Sequence, residues 1–129
     1  MEVGQTFTQT IVEDLKRTQI VQYAGASGDY NPLHTDEIYA TKTAGYPSVF
    51  AHGMLTMGLT GQAITALAGA EGLLRFGVRF TAQVWPGDTL TVRSTVVRVG
   101  NGEAEFSVSA VNAEGTQVVS GYAHVRLAD

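Results

Sequence analysis

The sequence predicts an α+β domain, with helices first and a four- or five-stranded antiparallel sheet after them. Three observations predict it. From Leu73 onward, four segments rich in Val, Thr and Phe alternate with period two. Ahead of them lie segments of helical spacing broken by Gly and Pro turns. Between the two textures, Ala51 to Ala70 carries no Asp, Glu, Lys or Arg. A helix without a charged face belongs inside a domain, with a curved sheet wrapped around it.

Taken in order, Gln5 to Thr10 alternates weakly and reads as a short strand. Val12 to Ala24 reads as a helix with Leu15, Ile20, Val21 and Tyr23 on its apolar side. Thr10 is its expected N-cap, with Glu13 completing a capping box and Gly25 or Gly28 ending it. Thr35 or Asp36 is placed to cap a short second helix running to about Thr43. The long central helix is expected from about His52 to Leu67, punctuated by Gly69 and Gly72. Its Gly58, Gly61, Ala63 and Ala66 are the residues expected to let the sheet approach closely. The strands are Leu73–Val84, Thr89–Val99, Ala104–Asn112 and Gln117–Leu127. Turns at Pro86-Gly87-Asp88, Gly100-Asn101-Gly102 and Ala113-Glu114-Gly115 are short enough to require antiparallel strands. Such a sheet has exposed edges, and pairing two copies edge to edge covers one on each.

At 129 residues the chain is expected to be one domain, residues 1–129, with a real core. A net charge of −4 and the lack of a basic run argue against nucleic acid or an acidic membrane as partner. The absence of cysteine excludes a disulfide framework, thiolate ligands and a Cys nucleophile. Gly, Thr, Gln62 and His52 interrupt the uncharged stretch too often for a membrane span. Met1-Glu-Val-Gly-Gln-Thr has no cationic and apolar signal pattern, so a cytoplasmic location is expected.

The chemistry concentrates in Tyr23-Ala-Gly-Ala-Ser-Gly-Asp-Tyr-Asn-Pro-Leu-His34. Asp29 and His34 are five positions apart, up to roughly 17 Å in extended chain, so they meet only if the backbone turns back. The segment supplies the turn. Gly28 permits positive φ, Asn31 can form an Asx-turn, and Pro32 drives Asn31 out of the α region. A carboxylate and an imidazole on a rigid loop suit the holding of one water and the movement of its proton. The plainer alternative makes Asp29 a turn cap and His34 a surface residue. A second element, Phe50-Ala-His-Gly-Met-Leu55, opens the central helix.

These residues resemble the MaoC-like dehydratases and (R)-specific enoyl-CoA hydratases. The resemblance covers nearly the whole chain. It is strongest at Tyr23 and Ser27-Gly28-Asp29-Tyr30-Asn31-Pro32-Leu33-His34, with Ala40 six residues after the histidine, and at Ala51-His52-Gly53-Met54. It implies a single hotdog domain, a curved antiparallel sheet around a long central helix. It implies that Asp29 and His34 hold a catalytic water that adds to C3 of a trans-2-enoyl thioester, giving the (R)-3-hydroxyacyl thioester, or that they run the reverse dehydration. The thioester is carried on CoA or an acyl carrier protein, and no cofactor is expected. Such domains place their sites at subunit interfaces, so a homodimer or higher oligomer is expected, with a heterodimer as the alternative. The growing enolate needs a donor, and we assign it to the Gly53 N–H at the helix N-terminus, with Met54 in support.

Which of Asp29 and His34 is the base is left open, since the two can titrate as one unit. Asn31 orients either the loop or the water, and Ser27 suits a turn. His52 reads as a local structural hydrogen-bonder and His124 as a structural strand residue. Tyr30, Tyr46, Phe50 and Met57 either line an acyl tunnel or fill the core. Arg75, Arg79 and Lys42 are candidates for CoA phosphates, although isolated basic residues are usually solvated. Asp29, His34, Asp36 and His52 match no zinc spacing, so no metal is expected. The rival functions are a hotdog thioesterase and a non-catalytic half of a heterodimer. Many thioesterases of this shape keep a carboxylate on the central helix, where this chain has none. A non-catalytic half has no need of Asp29 and His34.

Overall fold

The computed structural model describes residues 1–128. The chain runs β1 (Thr6–Val12), α1 (Arg17–Ser27), a π-helical turn (Tyr39–Thr43), α2 (Gly53–Ala68), β2 (Leu73–Phe80), β3 (Leu90–Gly100), β4 (Glu103–Val111) and β5 (Gln117–Arg126). The five strands form one sheet in the order β1-β3-β4-β5-β2, and every neighbouring pair is antiparallel. This is the α+β hotdog arrangement expected from the sequence, with α2 lying against the sheet.

Period-two alternation sets the core. Leu90, Val92, Ser94 and Val96 on β3 and Ala104, Phe106, Val108 and Ala110 on β4 all face inward and are buried. At a bulge on β5, Val118 and Val119 are buried in succession, the local break in alternation that an extra residue produces. From α2, Leu55, Ala63 and Ile64 complete the core. Gly61 faces the Phe76 ring, which would stand 3.2 Å from an added Cβ. At the far edge, β2 and β5 approach so closely that a Cβ on Gly121 would lie 2.0 Å from the Gly77 carbonyl oxygen.

Several expectations are corrected. The first helix begins at Arg17, not Val12, and Lys16 at its N-cap makes no side-chain capping bond. Thr10 is not a cap and Glu13 forms no capping box. Thr10 to Val12 instead pair with β3, and Asp14 at φ 49° turns the chain before Leu15 enters the core. Val21 is exposed. The second helix is short and irregular, starting where Asp36 Oδ1 accepts the Tyr39 N–H. The strand expected to reach Val84 ends at Phe80 and pairs with β5 across the sheet, not with β3. Its continuation through Thr81 to Val84 becomes one wall of a cavity.

The central helix is buried on one face, not all round. Met54, Gly58, Gln62 and Ala66 are exposed along the other face, so Gly58 and Ala66 do not meet the sheet. One sheet can cover only one side of a helix, and the uncharged outer stripe needs another layer to bury it.

Candidate active site

Gly28 ends α1 in the left-handed region at φ 77°, its N–H bonded to the Ala24 carbonyl. From there short bonds fold the loop. The Asp29 N–H donates to Ser27 Oγ at 3.2 Å, the Asn31 N–H to Asp29 Oδ1 at 3.2 Å, and the Leu33 N–H to Asn31 Oδ1 at 3.0 Å. The last two are Asx-turns. The His34 N–H then bonds to the Asn31 carbonyl and the Asp36 N–H to the Pro32 carbonyl. Ser27 and Asn31 thus act on the backbone, and the turned loop brings Asp29 back toward His34.

The Asp29 carboxylate, a His34 ring nitrogen and a His52 ring nitrogen all lie within 4.8 Å of one another. His34 is 9 % exposed, and its Nδ1 donates to the Phe50 carbonyl at 2.6 Å. A carbonyl only accepts, so Nδ1 carries the proton and neutral His34 keeps a bare Nε2. Asp29 is exposed to solvent. Asp29 Oδ1 takes the Asn31 N–H, and Oδ2 is left for a further partner.

His52 is the N-cap of α2 but makes no capping bond. Its hydrogen bond is not local as expected. Nε2 reaches back 23 residues to the Asp29 carbonyl, at 3.0 Å. His52 and His34 stack with centroids 3.9 Å apart and planes at 25°. The stacked pair is flanked by edge-to-face contacts, with the Tyr23 ring 4.9 Å from His52 and the Phe50 ring 5.3 Å from His34. Burial, reinforced by the neighbouring His34 charge, lowers the His52 pKa below the ordinary 6.5, against the opposing pull of its bond to Asp29.

These three side chains are the described group best placed to ligate a metal. The two imidazoles are nearly parallel, so their in-plane lone pairs do not converge on one point as tetrahedral ligands would.

The next residue is Gly53. The first bonds of α2 run from Leu55 and Thr56 N–H to the His52 carbonyl, leaving the Gly53 and Met54 N–H groups ahead of the ladder. A cavity of about 330 Å³ opens there, lined by Phe50, Ala51, Gly53 and Thr56 on one side and by Phe80 and Thr81 to Val84 on the other. Asp29 and His34 do not line it. His52 does not line it either, but it bonds the Asp29 carbonyl and directly precedes Gly53, which does.

Of the residues expected along an acyl chain, Phe50 borders this cavity. Tyr46 packs on the Phe50 ring at 4.9 Å, Tyr30 is 69 % exposed on the loop, and Met57 is half-buried on α2. Met54 is exposed beside Gly53. Arg75 sits 5.8 Å over the Tyr122 ring on the sheet, and Arg79 and Lys42 are exposed. His124 Nε2 pairs with Glu103 at 2.7 Å, a strand-to-strand contact. Sequence reading missed Thr56 and Phe80. Thr56 follows Gly53 by three residues and so shares its helix face, a signal that was there to be read. Phe80 had no such signal.

Residues 1–118 match the family model of the MaoC like domain, and the chain belongs to that family. Among curated proteins it is 40% identical over 95 residues to 3-hydroxyacyl-thioester dehydratase Y of Mycobacterium tuberculosis, covering 70% of this chain and 32% of that protein. It is 28% identical to the peroxisomal enoyl-CoA hydratase 2 of Arabidopsis thaliana, over 98% of this chain and 40% of that protein. The chain therefore spans well under half of either relative. Among solved structures, the unliganded R-hydratase PhaJ1 of Pseudomonas aeruginosa superposes with a TM-score of 0.88 at 32% identity, covering all of this chain and 83% of that one.

Proposed function

We propose that this chain is a hydro-lyase that adds water to trans-2-enoyl thioesters to give (R)-3-hydroxyacyl thioesters, and removes it in reverse. The observation that carries the reading is one arrangement. The Asp29 carboxylate and the His34 imidazole converge within 4.8 Å, and His52 links them to the free N–H groups at the start of α2. The hydratase and dehydratase relatives support it.

A water held between the Asp29 carboxylate and His34 Nε2 gives up a proton as its oxygen bonds to C3. The C2–C3 π electrons move to form an enolate, whose charge falls on the thioester oxygen. The Gly53 N–H, with Met54 beside it, strengthens as that charge grows. The dyad then returns one proton to C2 on the same face. His34 Nδ1–H stays on the Phe50 carbonyl throughout, so the mobile proton resides on Nε2 or the carboxylate. The reaction is proton transfer alone, and we assign no cofactor or metal. Asp29, His34 and Gly53 are the assigned catalytic residues, supported by Asn31. Phe50 and Thr56 are assigned to the substrate wall.

The domain is assigned a second copy of itself as partner. The uncharged outer face of α2 and the unpaired edge of β2 are surfaces that a second copy would cover. A heterodimer is the alternative. The reading is tested by incubating the purified chain with crotonyl-CoA and following loss of the enoyl absorbance. Hydration without release of free CoA supports it; thiol release in its place supports a thioesterase.

A further inference from the structure

His52 is 1 % exposed, and its Nδ1 is buried without a hydrogen-bond partner. A buried polar atom left unpaired calls for an explanation, because an apolar side chain would avoid its cost. The other nitrogen provides one. The Asp29 carbonyl can only accept, so Nε2 carries the hydrogen and donates. That bond fixes the peptide that carries the Asp29 side chain. The same ring lies flat against His34 at 3.9 Å and is backed by Tyr23 on α1. One side chain therefore holds the backbone of the carboxylate residue and the ring plane of the imidazole. Its own backbone is joined to Gly53.

We propose that His52 is a positioning residue that sets the carboxylate, the imidazole and the oxyanion donor in register. This rests on the hydratase reading above. His52 does not touch the reacting atoms. It acts through Asp29 and His34, as supporting residues behind metal and catalytic ligands do.

Two features of the side chain are separable. A glutamine amide nitrogen reaches about where Nε2 lies, so His52→Gln keeps the donor and loses the ring. His52→Leu loses both. His52→Asn keeps polarity but its amide falls short, near Nδ1. The expected result is a kcat for His52→Leu lower by about 10- to 100-fold, the usual effect of losing an orienting partner, with KM little changed. His52→Gln should regain most of that loss and His52→Asn should not, so the comparison stands even if the leucine variant fails to fold. Imidazole ¹⁵N NMR of the wild type should show the Nε2–H tautomer at His52 and the Nδ1–H tautomer at His34. A full-rate leucine variant, or a glutamine variant no better than the asparagine one, would overturn the proposal while leaving the hydratase reading intact. A wild-type protein without Asp29-dependent turnover would overturn both.

Discussion

His34 Nδ1 donates to the Phe50 carbonyl at 2.6 Å, and that bond fixes which nitrogen of His34 is left free. The partner is a backbone atom, so no side-chain substitution removes it. The tautomer is built into the path of the chain from the loop to α2, and Nε2 is the nitrogen left free to exchange a proton near Asp29.

The first prediction concerns the dyad. Asp29→Asn and His34→Ala should each lower kcat by about 10²–10⁴, the usual worth of a positioned acid or base. Asp29 is exposed, so Asp29→Asn should melt near wild type. The double variant should cost little more than the worse single, because residues that act as a unit are non-additive. Steady-state kinetics on the four proteins check this.

Gly53 allows a cleaner test of the oxyanion donor. A Cβ at this position would sit 3.1 Å from the Phe80 ring. Gly53→Ala adds that Cβ and keeps the N–H, whereas Gly53→Pro adds bulk and removes the N–H at a position where helices tolerate proline. The alanine variant should show mainly a raised KM as Phe80 shifts. The proline variant should fold and lose about 10²-fold or more in kcat. Equal kcat losses in the two would place the effect in Phe80 and the donor elsewhere.

The dyad loop was largely legible in the sequence because its bonds are local. Gly28, Asn31 and Pro32 each act within a few residues, and the Asn31 Asx-turn appears as expected, joined by a second at Asp29. The role of His52 was not legible, since its bond to Asp29 spans 23 residues and depends on how α1 and α2 meet. Tyr23 belonged to the recognised motif, but its contact with His52 appears only in three dimensions. The error at Thr10 and Glu13 has a simple physical source. A capping box is a local preference, and pairing with β3 outweighs it. The pairing of β2 with β5 was hidden for the same reason, as hydrophobic alternation reports a strand's faces and not its neighbours.

A third prediction concerns pH. The His52 pKa is lowered by burial below 6.5. The unfolded chain therefore takes up a proton at this residue before the folded one does, and stability falls as pH drops below about 6.5 toward the folded value. Above that range His52 is neutral in both states and contributes no slope. Melting curves between about pH 7.5 and 5 should show a shallower decline in His52→Gln than in wild type.

The close pairing of β2 and β5 gives a fourth. Gly121→Ala places a methyl where the Gly77 carbonyl stands, against β2 backbone with no flexible side chain to yield. The expected loss is about 3 kcal/mol or more, the upper end for overpacking, read from urea denaturation.

The proposed dimer is checked by light scattering. A fully active monomer would remove the reason offered for the uncharged outer stripe of α2. A gain in activity on adding a second, different subunit would favour the heterodimer.

The most direct measurement is chiral analysis of the product formed from crotonyl-CoA by wild type and by Asp29→Asn. The account predicts (R)-3-hydroxybutyryl-CoA from the wild type, with the rate down by about 10² or more in the variant. Near-wild-type turnover by Asp29→Asn, or free CoA in place of the hydrated thioester, would contradict it.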